Sequence, residues 1–258
     1  MRATKFQWPK SSKWPQKLTS RRSKKDRTLP RQAGNQDQVV AMASFQSVKE
    51  ARNLLFDEDD YVCNIHDLDH GPMALSTIEK FDKREEGALQ VTDALPDSLP
   101  ILSLTTPNET INLRDLHNDR PLVITFGSFS WRPWRAKASV VQKIAEDYRG
   151  KVDVVAIYIS EAHSTDEWSL YSDVTWKQPQ TIEERIGLAT KHAGRLHGDE
   201  IQLYVDTMAN TVESSFAAWP ERLYIIDSAG KIGYKGLNGP DGYLPEEVRS
   251  WLEANVAV

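Results

Sequence analysis

Residues 121–148 read PLVITFGSFSWRPWRAKASVVQKIAEDY, and this stretch decides the fold. Its first six residues are apolar and largely β-branched, the composition of a buried strand. Gly127 and Ser128 supply a turn. Trp134, Ala138, Val141, Ile144, Ala145 and Tyr148 then recur at helical spacing, and Gly150 stands where a helix would stop. Ser130 is the expected N-cap, and Pro133 falls in the first turn, where a missing N–H costs little. The unit is strand, tight turn, helix. Such a junction aims free backbone N–H groups and the positive end of the helix dipole at the side chain in the first helical position, which suits a thiol or selenol. Here that position holds Trp131, whose indole is no nucleophile.

The flanking sequence extends this unit into a sheet. Residues 101–116 alternate like a hairpin with its turn at Pro107 and Asn108. Residues 152–159 are apolar apart from Asp153 and predict an interior parallel strand. A polar and aromatic insertion, 160–180, precedes a helix over 181–196 that opens on Thr181 followed by Glu184, a capping pattern. Strands are predicted at 201–205, 222–227 and 232–235, the last two antiparallel across Ala229 and Gly230, with a final helix from Pro245 to about Glu253. The order is βαβ followed by ββα, which predicts an α/β class with a central mixed sheet flanked by helices. Ahead of it, residues 42–56 and the stretch from Pro72 to Phe81 carry helical patterns. Pro96 and Pro100 bracket a linker. The expected division is a basic, disordered tail or targeting segment over 1–40, a helical extension and linker over 41–98, and the main domain over 99–258.

The 258 residues carry a net charge of −5 that hides an asymmetry. Residues 1–37 hold 11 Lys and Arg against two acids, and the remainder holds 21 basic against 35 acidic residues, a balance of −14. The tail is compatible with nucleic acid, an anionic membrane, organelle targeting or a solvated extension. No window approaches the roughly 20 apolar residues of a membrane helix, so a soluble intracellular protein is expected, cytoplasmic or organelle-targeted. Cys63 is the single cysteine, which excludes an internal disulfide and a CxxC redox pair. The NIHDLDHGP run at 64–72 offers two histidines and two aspartates, but no second ligand cluster accompanies it, so a solvated turn is expected there and no metal.

FGSFSWRPW (126–134), VAIYISEAHSTDEW (155–168), VDTMAN (205–210) and ERLYIIDSAGKIGYKGLNGPDGYLPEEVRSWLE (221–253) resemble the iodothyronine deiodinase family, which has a thioredoxin-like fold. The resemblance implies reductive removal of iodine from an aryl iodide such as a thyroid hormone, with a selenocysteine or cysteine as nucleophile. It places Trp131 at the nucleophile position and Ser128 and Ser130 in the turn around it, and it puts Arg132 where the family has proline. Glu161 and His163 match the family's EAH element, in which the histidine moves protons. Pro220 corresponds to the cis-proline facing the nucleophile, and Trp134 joins Trp131 and His163 in lining the crevice. A second histidine of the vertebrate enzymes has no counterpart in Lys177-Gln178-Pro179-Gln180, and the family's membrane anchor is not expected here.

Trp131 therefore has three readings. It is a true tryptophan in a non-catalytic relative, a UGA selenocysteine codon read as tryptophan, or the mark of other chemistry. The expected partners are a small aromatic or iodinated substrate and an external thiol reductant, with no bound cofactor. A homodimer is left open, and nucleic acid is expected only through the basic tail. The competing class is a thioredoxin-fold module that binds a ligand or protein without turnover.

Overall fold

The structure, a computed structural model, describes residues 75–256 except 105, 107–108, 172 and 197–199. The helix read over 42–56, the run at 64–72, Cys63 and the basic tail lie outside the described residues.

The deciding stretch forms β3 (Leu122–Gly127) and the helix Arg132–Asp147. Every residue of β3 is buried, as a strand covered on both faces requires. It pairs in parallel with β4 (Asp153–Tyr158), from Leu122 opposite Asp153 to Gly127 opposite Tyr158. A parallel pair cannot be joined by a tight turn, and the Arg132–Asp147 helix is the crossover. The helix buries Trp134, Ala138, Val141, Ile144 and Ala145, and Gly150 ends its turn at φ +78. Gly127 also makes room for the helix. A Cβ there would stand 2.3 Å from the Trp134 ring, so only glycine lets that indole lie on the strand.

Among the described residues the sheet has seven strands. Besides β3 and β4 these are β1 (Pro100–Ser103), β2 (Thr110–Asn112), β5 (Gln202–Asp206), β6 (Arg222–Ile226) and β7 (Ile232–Lys235), in the order β2-β1-β5-β4-β3-β6-β7. β5 is parallel to β4, whereas β6 is antiparallel to β3 and β7 to β6. The helices are α1 (Leu75–Phe81), α2 (Arg132–Asp147), α3 (Ile182–His192), α4 (Thr211–Phe216) and α5 (Pro245–Asn255). The βαβ and ββα halves share one mixed sheet, which makes this the thioredoxin-like α/β fold. Among the described residues no helix is long and apolar enough to cross a membrane.

Three local readings are corrected. Ser130 is not the N-cap: Trp131 occupies that place without a side-chain cap, so α2 starts one residue later than read. The hairpin's alternation ends at Asn112, because the Asn112 side chain accepts from the Arg114 N–H and starts a 3-10 turn, Leu113–Leu116. VDTMAN is a turn, but it feeds the short α4, which the sequence reading missed.

Residues 85–94 pack against the β6–β7 end of the sheet, and Asp97 and Leu99 bond to Asn112 at its other edge. Thr92 and Ile232 are joined by a 2.8 Å backbone bond, and Ile232 returns its N–H to Asp93 at 2.8 Å. Lys235 donates to the carbonyls of Glu86 and Leu89, both at 2.7 Å, and Leu95 and Leu99 are buried.

Candidate functional site

Two turns meet at the carboxyl ends of β3 and β4, the place where open α/β sheets bind ligands. The first turn runs from Gly127 into α2 and carries Ser128, Ser130 and Trp131. The second leaves β4 and carries Glu161, Ala162 and His163. Hydrogen bonds zip them together. The Ser128 hydroxyl accepts from the Ala162 N–H at 3.2 Å, and the Ser130 hydroxyl accepts from the His163 N–H at 2.9 Å. The Ser130 N–H in turn donates to Glu161 Oε2 at 2.7 Å. Ser130 is therefore spent on the neighbouring turn, which is why it does not cap α2.

Glu161 is fully buried, and its other oxygen accepts from the Tyr158 hydroxyl at 2.5 Å. Burial raises its carboxyl pKa, against the pull of the Ser130 and Tyr158 hydrogen bonds. Gln178 grips the same residue's backbone, accepting from its N–H at 2.8 Å and donating to its carbonyl at 3.0 Å.

His163 is wholly buried. Its Nδ1 lies 2.9 Å from the Trp168 carbonyl, so Nδ1 carries the proton and Nε2 is the lone-pair nitrogen. Nε2 has no hydrogen-bond partner among the described residues. Desolvation lowers the imidazole pKa to about 3, opposed by the bond to Trp168, so the ring is neutral at physiological pH. Trp168 and Tyr171 pack edge-on to it at 4.8 and 5.2 Å. The Trp131 indole covers it at 5.0 Å and 32°.

Trp131 itself is 5% exposed, and its indole N–H makes no hydrogen bond among the described residues. The Glu221 carboxyl stands close enough for the indole to favour its ionised form but outside hydrogen-bond geometry. Glu221 is wholly buried, and neither of its oxygens has a hydrogen-bond partner among the described residues. Desolvation raises its pKa, opposed by Trp131 and by the Lys137 ammonium. Lys137 donates to the Tyr243 carbonyl, and burial lowers its own pKa.

The sequence-predicted residues thus divide. Ser128, Glu161 and His163 converge on Trp131. The Trp219–Pro220 bond is cis, and Pro220 delivers Glu221 beside the indole. Arg132 opens α2 with its guanidinium 5.5 Å from the Tyr171 ring centre, at the rim. Trp134 is not brought to the crevice: its indole N–H donates to Thr125 Oγ1 at 2.8 Å inside the core. Glu221, Tyr158, Tyr171 and Trp168 escaped the sequence reading. A carboxylate set between Pro220 and the strand sequence RLYII was the signal for Glu221.

Chemically, the crevice offers an aromatic wall, one neutral imidazole acceptor, two buried carboxyls and a helix amino end. Among the described residues no group of three His, Cys, Asp or Glu is placed to hold a metal ion. The Trp131 indole at the amino end of α2 is itself no nucleophile.

A sequence-family model described as iodothyronine deiodinase matches residues 19–256. Thyroxine 5-deiodinase of Sus scrofa is 35% identical over 201 residues, covering 76% of this chain and 61% of that protein. Thyroxine 5-deiodinase of Homo sapiens is 42% identical over 137 residues, covering 52% and 44%. The chain thus spans about three-fifths of the Sus scrofa protein's length. An uncharacterized conserved protein from Geobacillus kaustophilus superposes with a TM-score of 0.46 at 19% identity, covering 65% of this chain and 82% of that one. The family match takes in both hydrogen-bonded turns and all seven strands, and the chain belongs to the iodothyronine deiodinase family.

Proposed function

We propose that this domain holds a deiodinase-type reductive site for an aryl iodide of the iodothyronine kind, and that residue 131 decides whether it turns over. One observation supports the reading above the rest. The Ser128–Ser130 turn and the Glu161–His163 turn are hydrogen-bonded face to face around residue 131, at the amino end of α2. A selenolate or thiolate there would be held ionised by the helix end. It would attack iodine, breaking the carbon–iodine bond. The aryl carbon takes a proton, and the iodine leaves on selenium or sulfur. Two thiols of an external reductant then release iodide, leave as a disulfide and restore the nucleophile.

Trp131 supports none of these steps. As written, the chain is a binding module whose indole fills the space a nucleophile and its substrate would share. If the codon for residue 131 is UGA, the native chain is a selenoenzyme. The partners under this reading are the aryl iodide and a thiol reductant. A homodimer is compatible with it, and so are a cytoplasmic location and an organelle addressed by residues 1–40, with the reductive domain over 99–258.

The test is iodide release from a 3-iodo-4-hydroxyphenyl compound in the presence of a dithiol. The Trp131 protein is expected to be inert. Trp131→Cys is expected to release iodide at least about a hundredfold faster, the scale of one preorganised electrostatic contribution. Turnover by the Trp131 protein, or a folded Trp131→Cys variant that releases no iodide, would falsify the proposal. A TGG triplet at position 131 removes the selenoenzyme form.

A further inference from the structure

Reduction of an aryl iodide needs a proton for the aryl carbon, and the two joined turns hold no acidic one to give. His163 keeps its Nδ1 proton on the Trp168 carbonyl at 2.9 Å, and its Nε2 carries a lone pair, so at neutral pH the ring only accepts. Glu161 has both oxygens occupied as acceptors, one from the Ser130 N–H and the other from the Tyr158 hydroxyl.

Glu221 reaches residue 131 from another element, set between cis-Pro220 and β6. Its carboxyl is wholly buried beside the Trp131 N–H, and neither oxygen has a hydrogen-bond partner among the described residues. A carboxylate so placed would forgo the hydrogen bonds that water gave it, whereas the protonated acid costs far less to bury. Gly239 makes the room: a Cβ there would stand 2.2 Å from Glu221 Cγ and 2.3 Å from Oε1, and the Gly239 N–H fixes the Glu221 backbone carbonyl at 3.0 Å. The charged and titratable groups around this carboxyl come from three elements. Lys137 of α2, tethered to the Tyr243 carbonyl, favours the ionised form. Tyr243 and Tyr171 are kept protonated by burial first and also by the Glu221 charge, and Asp241 and Glu246 act on Lys137. Burial raises the Glu221 pKa and Lys137 limits the rise, so the proton is held near neutrality yet can be released.

We propose that Glu221 is the acid that protonates the aryl carbon, and that Lys137 is the positioning residue whose charge stabilises the carboxylate left behind. The Trp131 indole fills the space the reactants would share, with His163 against its face at 5.0 Å and Glu221 at its N–H edge. In the step, the selenolate or thiolate takes iodine, the carbon–iodine bond breaks, and its electron pair takes the Glu221 proton to give the arene. A selenenyl or sulfenyl iodide and the Glu221 carboxylate remain. The first external thiol returns a proton to Glu221 while its sulfur displaces iodide. The second releases the disulfide and the free nucleophile, its proton passing to water. Summed, one aryl iodide and two thiols become one arene, one disulfide, iodide and a proton. The assignment rests on the reading of the crevice as a reductive aryl-iodide site and adds the residue that supplies its proton.

Two measurements on the full chain test it. The first needs no turnover. Infrared titration of the Trp131 protein is expected to show a protonated-carboxyl band that persists at neutral pH, fades on the alkaline side and is missing in Glu221→Gln. Lys137→Met is expected to move its midpoint to higher pH, because the lost cation favoured the ionised form. The second is single-turnover iodide release from a 3-iodo-4-hydroxyphenyl compound by Trp131→Cys. Adding Glu221→Gln is expected to slow it at least about a hundredfold, the lower end of general-acid catalysis, while iodoacetamide alkylates the introduced thiol at an unchanged rate. Adding Glu221→Asp, which keeps the acid but withdraws it by one methylene, is expected to recover part of the loss. Undiminished release with Glu221→Gln, equal losses with Gln and Asp, or a band that Glu221→Gln leaves in place would overturn the proposal. So would an alkaline limb of iodide release that Lys137→Met fails to shift upward, a check that stands even if Glu221→Gln does not fold. A Glu221-dependent band in a protein whose Trp131→Cys variant is inert sinks the reductive reading and the donor role with it. Iodide release indifferent to Glu221→Gln sinks the donor alone.

Discussion

With Nδ1 committed to the Trp168 carbonyl, His163 has one nitrogen left, and burial decides what it can do. Its folded pKa of about 3 lies below the unfolded 6.5, so the unfolded chain binds the extra proton between those values and stability falls as pH drops through that window. From pH 7 to 5 the loss from this residue is about 2 kcal/mol. Asp206, raised by burial to about 6, pulls the other way between 3.8 and 6, so the residue must be isolated by difference. Urea denaturation of the natural chain and His163→Gln is expected to give curves that converge by about 2 kcal/mol on acidification over that range. Parallel curves would mean the imidazole is already charged or solvated. The letter His163 was legible in the EAH match. Its neutrality was not, because that depends on burial beneath the Trp131, Trp168 and Tyr171 rings, which outweighs the bond to the Trp168 carbonyl.

At the scale of single elements, α3 is fixed at its start by Thr181, whose hydroxyl accepts from the Glu184 N–H at 3.3 Å. Glu184 reaches back to the Gln180 N–H at 2.8 Å, one residue earlier than a standard capping box. Thr181→Ala is expected to lower stability by about 1 kcal/mol in chemical denaturation, and Thr181→Ser to cost much less. Equal losses would show that the methyl group, not the hydroxyl, matters. This cap was readable because three residues hold the whole signal. The cap of α4 was not. Asp206 accepts from the Val212 and Glu213 N–H groups at 3.2 and 2.7 Å, from six and seven residues away, across a turn with Asn210 at φ +51. Glu213 then accepts from the Ser160 N–H at 2.8 Å, so this unheralded helix braces the start of the Glu161–His163 turn.

Across the whole molecule, Arg222 ties the residues before β1 to the sheet. It is fully buried and donates to four carbonyls: Gly236 at 2.7 Å, and Glu85, Glu86 and Ala217 at 3.1 Å each. Arg222→Ala is expected to destabilise by about 3 kcal/mol or more, since it leaves several buried carbonyls unpaired. Limited proteolysis should then cut near residues 85–89, where the natural chain resists. A variant with unchanged stability and cleavage would show that these residues are held by their apolar contacts alone. A sequence window sees Arg222 as an oddity at the mouth of a buried strand, because two of its acceptors stand 137 and 136 residues earlier.

The amino-acid sequence by itself determined the order of the strands and of every helix but α4, the strand–turn–helix unit with Trp131 at its junction, and the family, because periodicity, caps and turn residues act over a few positions. Only the tertiary structure decided that Ser130 binds the neighbouring turn instead of capping its own helix. It also decided that Trp134 serves the core and that Glu221 stands beside Trp131. Those outcomes depend on which groups lose water together, and desolvation is settled by packing between segments far apart in the chain.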